Sequence, residues 1–377
     1  MPILHAAFVL TGVVTTLLGP TLPLLVARWG LNDWQAGLLF TMQFAGSMAG
    51  VALSSAGMTR LGFRATLVIG VALMAAGVAA LRVAPAAFGY SAVFCYGIGL
   101  GLTIPVTNLA VAAQHPERRA AALSLLNLAW GVGAVSAPPV IAVLERANRG
   151  ESFLSGLAAA LAGMAVVLAR TRFAEGAEPR DRAPSPVAWW SRGVLLAGAM
   201  LFVYVGTETA LAGWVAIYAQ RFDLIAAAGA IAAPSVFWGA LLLGRGAAPL
   251  VLRYVCETRL IGWSLLLAFA GTGVLLAAGS TPVLVLAVAL GGLGLSTVFP
   301  ITVALFTRDF ARDSARLAGP VFALAGLGGA TLPSLVGLVS ARSGSLKAGL
   351  LVPLLGCVIM LALQGWRARL AARPIET

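Results

Sequence analysis

Apolar residues run along this chain in long blocks, each closed by a cluster of charge, proline or glycine. The blocks fall at roughly 4–28, 34–56, 65–84, 86–112, 119–144 and 152–169, and again at roughly 192–220, 226–247, 258–278, 282–306, 315–340 and 346–365. Each is near or above the ~20 residues an α-helix needs to cross about 30 Å of hydrocarbon. The runs are continuous rather than alternating, so they predict helices and not a barrel. The predicted fold is all-α and polytopic, with twelve transmembrane helices in two pseudo-symmetric six-helix bundles. The first block, from about Ile3 to Val26, lacks a basic flank and is too long for a signal peptide, so it reads as a retained helix. The third and fourth blocks are separated only by Arg82 and Pro85.

Between the two sets lies the longest polar stretch, rich in charge and proline. It predicts a linker at 170–191 between an N-terminal bundle, 1–169, and a C-terminal bundle with a short tail, 192–377. The two sets resemble each other at an offset of about 195 residues. Gly133 and Pro138 frame GAVSAP as Gly328 and Pro333 frame GGATLP; Gly99, Leu100, Pro105 and Thr107 correspond to Gly294, Leu295, Pro300 and Thr302. Two helix pairs sharing one offset point to duplication of a six-helix unit, a transporter architecture.

Composition agrees with this pattern. Hydrophobic residues make up 60% of the chain and charged ones 10%, far from the quarter charged of a soluble domain. Net charge of +12 comes from arginines that anchor short loops, with no aromatic-basic stripe to bind nucleic acid. With the N-terminus inside, only Arg28, Arg82, Arg146, Arg149, Arg221, Arg342 and Lys347 of the 25 basic residues fall outside. The positive-inside rule therefore puts both termini in the cytoplasm, in a cytoplasmic (inner) membrane of bacterial type. Three scattered cysteines and two isolated histidines support neither a disulfide framework nor a metal site, and no cofactor is implied.

Glu208 is the one carboxylate in the middle of an apolar run, FVYVGTETALAGWVAIYA. A bare carboxylate in hydrocarbon costs several kcal/mol, about 3 on insertion scales, which makes it a functional candidate. Taking up a proton or a polar ligand lowers that cost. Tyr204, four residues earlier, shares its helix face and is placed to donate its hydroxyl. Gln43, Asn108 and Asn127 are mid-helix amides able to line a cavity or to bond across helices. Trp130, Trp214 and Trp238 are the mid-helix tryptophans, whose flat faces suit the C–H face of a sugar ring or ordinary packing. No arginine is expected inside a span, which argues against anionic substrates.

These residues resemble the major facilitator superfamily over essentially the whole chain. Between its second and third helices that family carries a loop of the form G-x-x-x-D-R-x-G-R-R. The stretch SAGMTRLGFR keeps Arg60, Gly62 and Arg64, with Thr59 where the acid is usual. The second-half loop GRGAAPLVLRY keeps Gly244, Arg245 and Arg253. The resemblance implies cytoplasmic gating by these loops, weakened by the missing acid. YVGTETALAGWVAIYAQ is similar to the seventh helix of fucose/glucose-type permeases, through Gly206, Glu208, Gly213, Trp214 and Tyr218. Thr16 and Ile104 stand near the positions of that group's acids, so Glu208 alone is left for proton coupling.

The expected function is secondary or facilitative transport of a small neutral polar solute, a sugar or polyol, by alternating access. A proton is the expected coupling ion, and sodium stays open through carbonyls at broken helices. The alternative is a proton-coupled drug or metabolite exporter, from the loose antiporter-like GVGAVSAPP, where Ala137 replaces a glycine. The expected partners are solute, ion and lipid bilayer, and a monomer suffices. No catalytic set or phosphate-binding loop argues for an enzyme or a pump.

Overall fold

The computed structural model describes residues 2–115, 117–171, 191–310 and 314–371. Most of the expected linker, 172–190, and the tail from 372 lie outside the described residues. Every regular element among those described is a helix. The first series is α1 (Pro2–Thr15), α2 (Leu18–Trp29), α3 (Asp33–Val83), α4 (Ala86–Gln114), α5 (Arg119–Arg146) and α6 (Gly150–Arg170). The second is α7 (Arg192–Arg221), α8 (Ala227–Val251), α9 (Glu257–Leu276), α10 (Thr281–Leu295), α11 (Val298–Asp309), α12 (Ser314–Ser343), α13 (Leu346–Gly349) and α14 (Leu351–Ala371).

The breaks in these helices have local causes. Between α1 and α2 the axis bends by 44°. Pro20 lies just beyond the bend and has no N–H to return to the carbonyl of Thr16. Pro300 likewise leaves the Ser296 carbonyl unclaimed where α10 gives way to α11. Pro85 caps the start of α4 in an extended conformation, which separates the third and fourth blocks.

The 51 residues of α3 would make a rod of about 77 Å, more than twice the hydrocarbon thickness. Gly62 divides it, at φ 79° and ψ 168°, a region that a residue with a Cβ rarely enters. Ten helical stretches among the described residues are long and apolar enough to cross a membrane, and the bent α1–α2 pair is a further one. Counting α3 as two, the described helices supply the twelve expected crossings.

Two compact units emerge. Unit 1 takes residues 1–31, 38–183 and 227–235; unit 2 takes 32–37, 184–226 and 236–377. In unit 1, a Cβ on Gly133 of α5 would overlap the carbonyl oxygen of Val9 on α1. In unit 2, a Cβ on Gly328 of α12 would overlap the carbonyl oxygen of Phe202 on α7. The glycines matched by the sequence repeat thus make the same backbone-to-backbone crossing in each unit, with no side chain between the helices. Beside the second crossing, Val194 and Leu201 of α7, Phe306 of α11 and Leu317, Val321 and Ala325 of α12 form a buried apolar cluster. This cluster holds the first two turns of α7 and so fixes the approach to the polar residues further along it.

Candidate functional site

The site is built on α7 and α8 of unit 2. Tyr204 and Glu208 lie one turn apart on α7, and the Tyr204 hydroxyl donates to Glu208 Oε1 at 2.6 Å. Arg245, on α8, donates from Nη2 to the Tyr204 hydroxyl at 3.1 Å and to Glu208 Oε1 at 3.3 Å. One nitrogen therefore bridges phenol and carboxylate. Tyr204 is fully buried. The Glu208 side chain is 13% exposed and that of Arg245 30%, so solvent reaches the pair mainly through the arginine. Arg245 Nε is buried without a hydrogen-bond partner among the described residues.

This arrangement corrects the expectation that the spans hold no arginine and that Arg245 belongs to a loop. Helix α8 runs on to Val251, one turn further than the apolar block suggested. Arg245 thus lies within the helix and not in a loop after it, and its long side chain carries the charge to Glu208. A carboxylate and a guanidinium that meet in an apolar surround relieve each other's desolvation, which neither does alone.

Unit 1 holds a second polar network, without formal charge. Gln43 Nε2 donates to the carbonyl of Thr15 at 3.0 Å, and the fully buried Tyr96 hydroxyl donates to Gln43 Oε1 at 2.9 Å. Trp130 Nε1 donates to Thr15 Oγ1 at 3.3 Å. Gln43 and Trp130 are therefore brought together around Thr15. Tyr96 and Thr15 escaped the sequence analysis, although Tyr96 is a phenol in mid-helix and was detectable by the reasoning that found Gln43.

Asn108, Asn127, Trp214 and the arginines of the expected gate loops other than Arg245 are not gathered into either network. Asn108 and Asn127 return their amide N–H to carbonyls one turn back, those of Ile104 and Leu123, and Asn127 is exposed. Trp214 is fully buried and donates Nε1 to the carbonyl of Pro333 on α12 at 3.0 Å, which leaves no ring face open to a solute. Trp238 packs edge-on against Phe237, ring centroids 5.3 Å apart. Arg60 and Arg64 are exposed on either side of the Gly62 break, and Arg253 is exposed in the turn after α8.

A further ion pair in unit 2 was also missed. Arg221, at the end of α7, donates to both carboxylate oxygens of Asp33 at 2.7 and 2.8 Å, and Ser340 of α12 donates to the same carboxylate. Both charges terminate apolar blocks, so the sequence gives no hint that they meet. Among the described residues no three His, Cys, Asp or Glu side chains gather where a metal ion could be held.

A search of curated proteins finds no matching sequence. Among solved structures, FucP, the E. coli fucose:proton symporter, is 20% identical in its outward conformation, over 97% of this chain and 98% of that one, with a TM-score of 0.65. A bacterial homologue of the human lysosomal transporter Spinster, inward-facing and occupied, is 15% identical over 100% and 98%, with a TM-score of 0.77. The nucleoside transporter NupG is 11% identical over 97% and 98%, with a TM-score of 0.81. At these identities the likeness is one of fold. A family model described as Major Facilitator Superfamily matches residues 4–255, two thirds of the sequence. With twelve apolar crossings among the described residues, a repeated glycine contact in each unit and that match, the chain belongs to the Major Facilitator Superfamily of membrane transporters.

Proposed function

We propose that the protein is a secondary transporter of a small neutral polar solute, a sugar or polyol, with Glu208 and Arg245 as its binding and coupling groups. The observation that carries this reading is the ion pair itself, bridged by Tyr204 inside otherwise apolar helices. At rest the pair carries no net charge. It does offer an acceptor and a set of donors side by side, which suits a hydroxyl that must do both. A fucose:proton symporter and a nucleoside transporter among the structural neighbours support a hydroxyl-rich solute.

Coupling follows from the same geometry. Protonation of Glu208 removes the negative charge that holds Arg245, freeing the guanidinium to bind a solute oxygen. Loss of the proton restores the pair and expels the solute. Under this reading the bundles 1–169 and 192–377 rock about the linker with both termini cytoplasmic, in a bacterial-type cytoplasmic membrane, as the charge asymmetry favours. Arg60, Gly62, Arg64 and Arg253 serve the cytoplasmic gate.

The test is solute flux in proteoliposomes carrying Glu208→Gln. Accumulation driven by a pH gradient should vanish while solute exchange persists. Unchanged concentrative uptake would reject the coupling role. Resistance to toxic cations on expression, without uptake of any sugar, would favour a proton-driven exporter instead.

A further inference from the structure

Unit 2 contains a cavity of about 360 Å³ that the triad does not use. It lies at the opposite end of α7 from the Arg221 pair, among the starts of α7 and α9 and the ends of α11 and α14. From Met200 on its wall to Glu208 is eight residues, about 12 Å along the helix. The volume is within the ~300–1,000 Å³ of small-molecule sites.

Its chemistry is ordered from mouth to floor. At the mouth runs an alternating chain of charges. Arg308 Nη1 donates to Glu257 Oε2 at 2.9 Å, and Arg367 Nη2 donates to Asp309 Oδ2 at 2.6 Å. These four side chains sum to zero charge and keep partial exposure, 27% for Arg367 and 66% for Arg308. Neither guanidinium spends all five of its N–H groups on those partners.

Further in, two buried polar atoms have no partner among the described residues: Gln364 Oε1 and Thr302 Oγ1. Gln364 is 6% exposed and Thr302 3%. The amide nitrogen of Gln364 is already committed to the carbonyl of Thr258, so its oxygen is the end left to a ligand. Leaving a buried acceptor unpaired is unfavourable, and a ligand donor would relieve it. The remaining wall is apolar, with Leu196, Met200, Leu305, Phe306 and Leu363.

We propose that this cavity is a second ligand site, specific for a small zwitterion with an apolar side chain, the chemistry of a free aliphatic amino acid. A net-charged ligand meets a charge array that is already balanced. A zwitterion matches it group for group: carboxylate to the spare N–H groups of Arg308 and Arg367, ammonium to Asp309 and Gln364 Oε1, and side chain against the apolar wall. A sugar would leave that wall unfilled.

The experiment uses the purified full-length protein in detergent and follows its melting temperature against L-leucine. Two probes divide the zwitterion: leucinamide lacks the carboxylate, and 4-methylpentanoate lacks the ammonium. Leucine should give a saturable rise in melting temperature, and each half-probe should need at least tenfold more to match it. Gln364→Leu and Arg367→Ala should each weaken leucine binding by tenfold or more, and Glu208→Gln should leave it unchanged. That last arm separates this site from the transport reading, since loss of leucine binding in Glu208→Gln would place it at the triad. Any of three results would overturn the proposal: no saturable shift, equal potency of leucine and its half-probes, or binding indifferent to both cavity variants. If Gln364→Leu fails to fold, Gln364→Met is the substitute; it keeps the side chain's length, lacks the amide acceptor, and should weaken leucine binding by the same tenfold or more.

Discussion

The two units place polar side chains inside apolar helices in opposite ways. Unit 1 uses neutral groups, a glutamine, a tyrosine, a tryptophan and a threonine, joined by ordinary hydrogen bonds. Unit 2 uses a carboxylate and a guanidinium bridged by a phenol. Around these sites the repeats cross their helices alike, with Gly133 and Gly328 at the same contact. A shared backbone therefore carries a neutral set of polar side chains in one unit and a charged, titratable set in the other. The difference lies in a few side chains, because the charge state of Gln43 is fixed and that of Glu208 is not.

The largest effect should come from splitting the charged pair. Glu208→Gln leaves Arg245 with no countercharge in an apolar surround, a change that costs about 3–5 kcal/mol when one partner of a buried pair is removed. Thermal unfolding in detergent should show this loss, and the double variant Glu208→Gln with Arg245→Gln should recover most of it. A single variant as stable as the parent would mean the pair is well solvated and the contrast between units is overstated.

Next come the glycine crossings. Gly133→Val and Gly328→Val each drive a side chain into a facing carbonyl, and overpacking of this kind costs about 1–3 kcal/mol or prevents insertion. The two variants should be harmed equally, judged by yield and melting temperature. Tolerance at one position only would break the equivalence of the repeats.

Smaller and more diagnostic is the pair Tyr204→Phe and Tyr96→Phe. Each removes a buried hydroxyl that donates one hydrogen bond, worth about 1 kcal/mol net. Both should lower stability by that order, but only Tyr204→Phe should alter the pH profile of transport, since Tyr96 faces an amide. A shifted profile in Tyr96→Phe would give unit 1 a share in proton handling. The smallest effect is expected for Arg221→Ala. Its ion pair with Asp33 leaves the arginine side chain 39% exposed, and pairs of that kind contribute under about 1 kcal/mol.

Some of this was legible beforehand. The solitary Glu208 stands out in any reading of its apolar run, and Tyr204 follows from the helical period. Arg245 was misread for a physical reason: at the end of an apolar block a loop anchor and a buried counterion look the same. The reach of the Arg245 side chain from α8 to Tyr204 and Glu208 on α7 decides between them. Trp214 shows the reverse case. Of the two readings open to it, sugar platform or ordinary packing, the sequence could not choose; its N–H finds the carbonyl of Pro333, 119 residues away. Asn108 and Asn127 looked like cavity amides and return instead to their own helices.

The sequence by itself determined the number of crossings, the breaks near Pro20, Gly62 and Pro300, and the repeat. Those depend on local hydrogen bonding and on the exclusion of charge from hydrocarbon, which act over a few residues. Only the tertiary structure decided which acid meets which base: Glu208 with Arg245, and Asp33 with Arg221. Opposite charges find each other through space, and the packing of distant helices sets that distance.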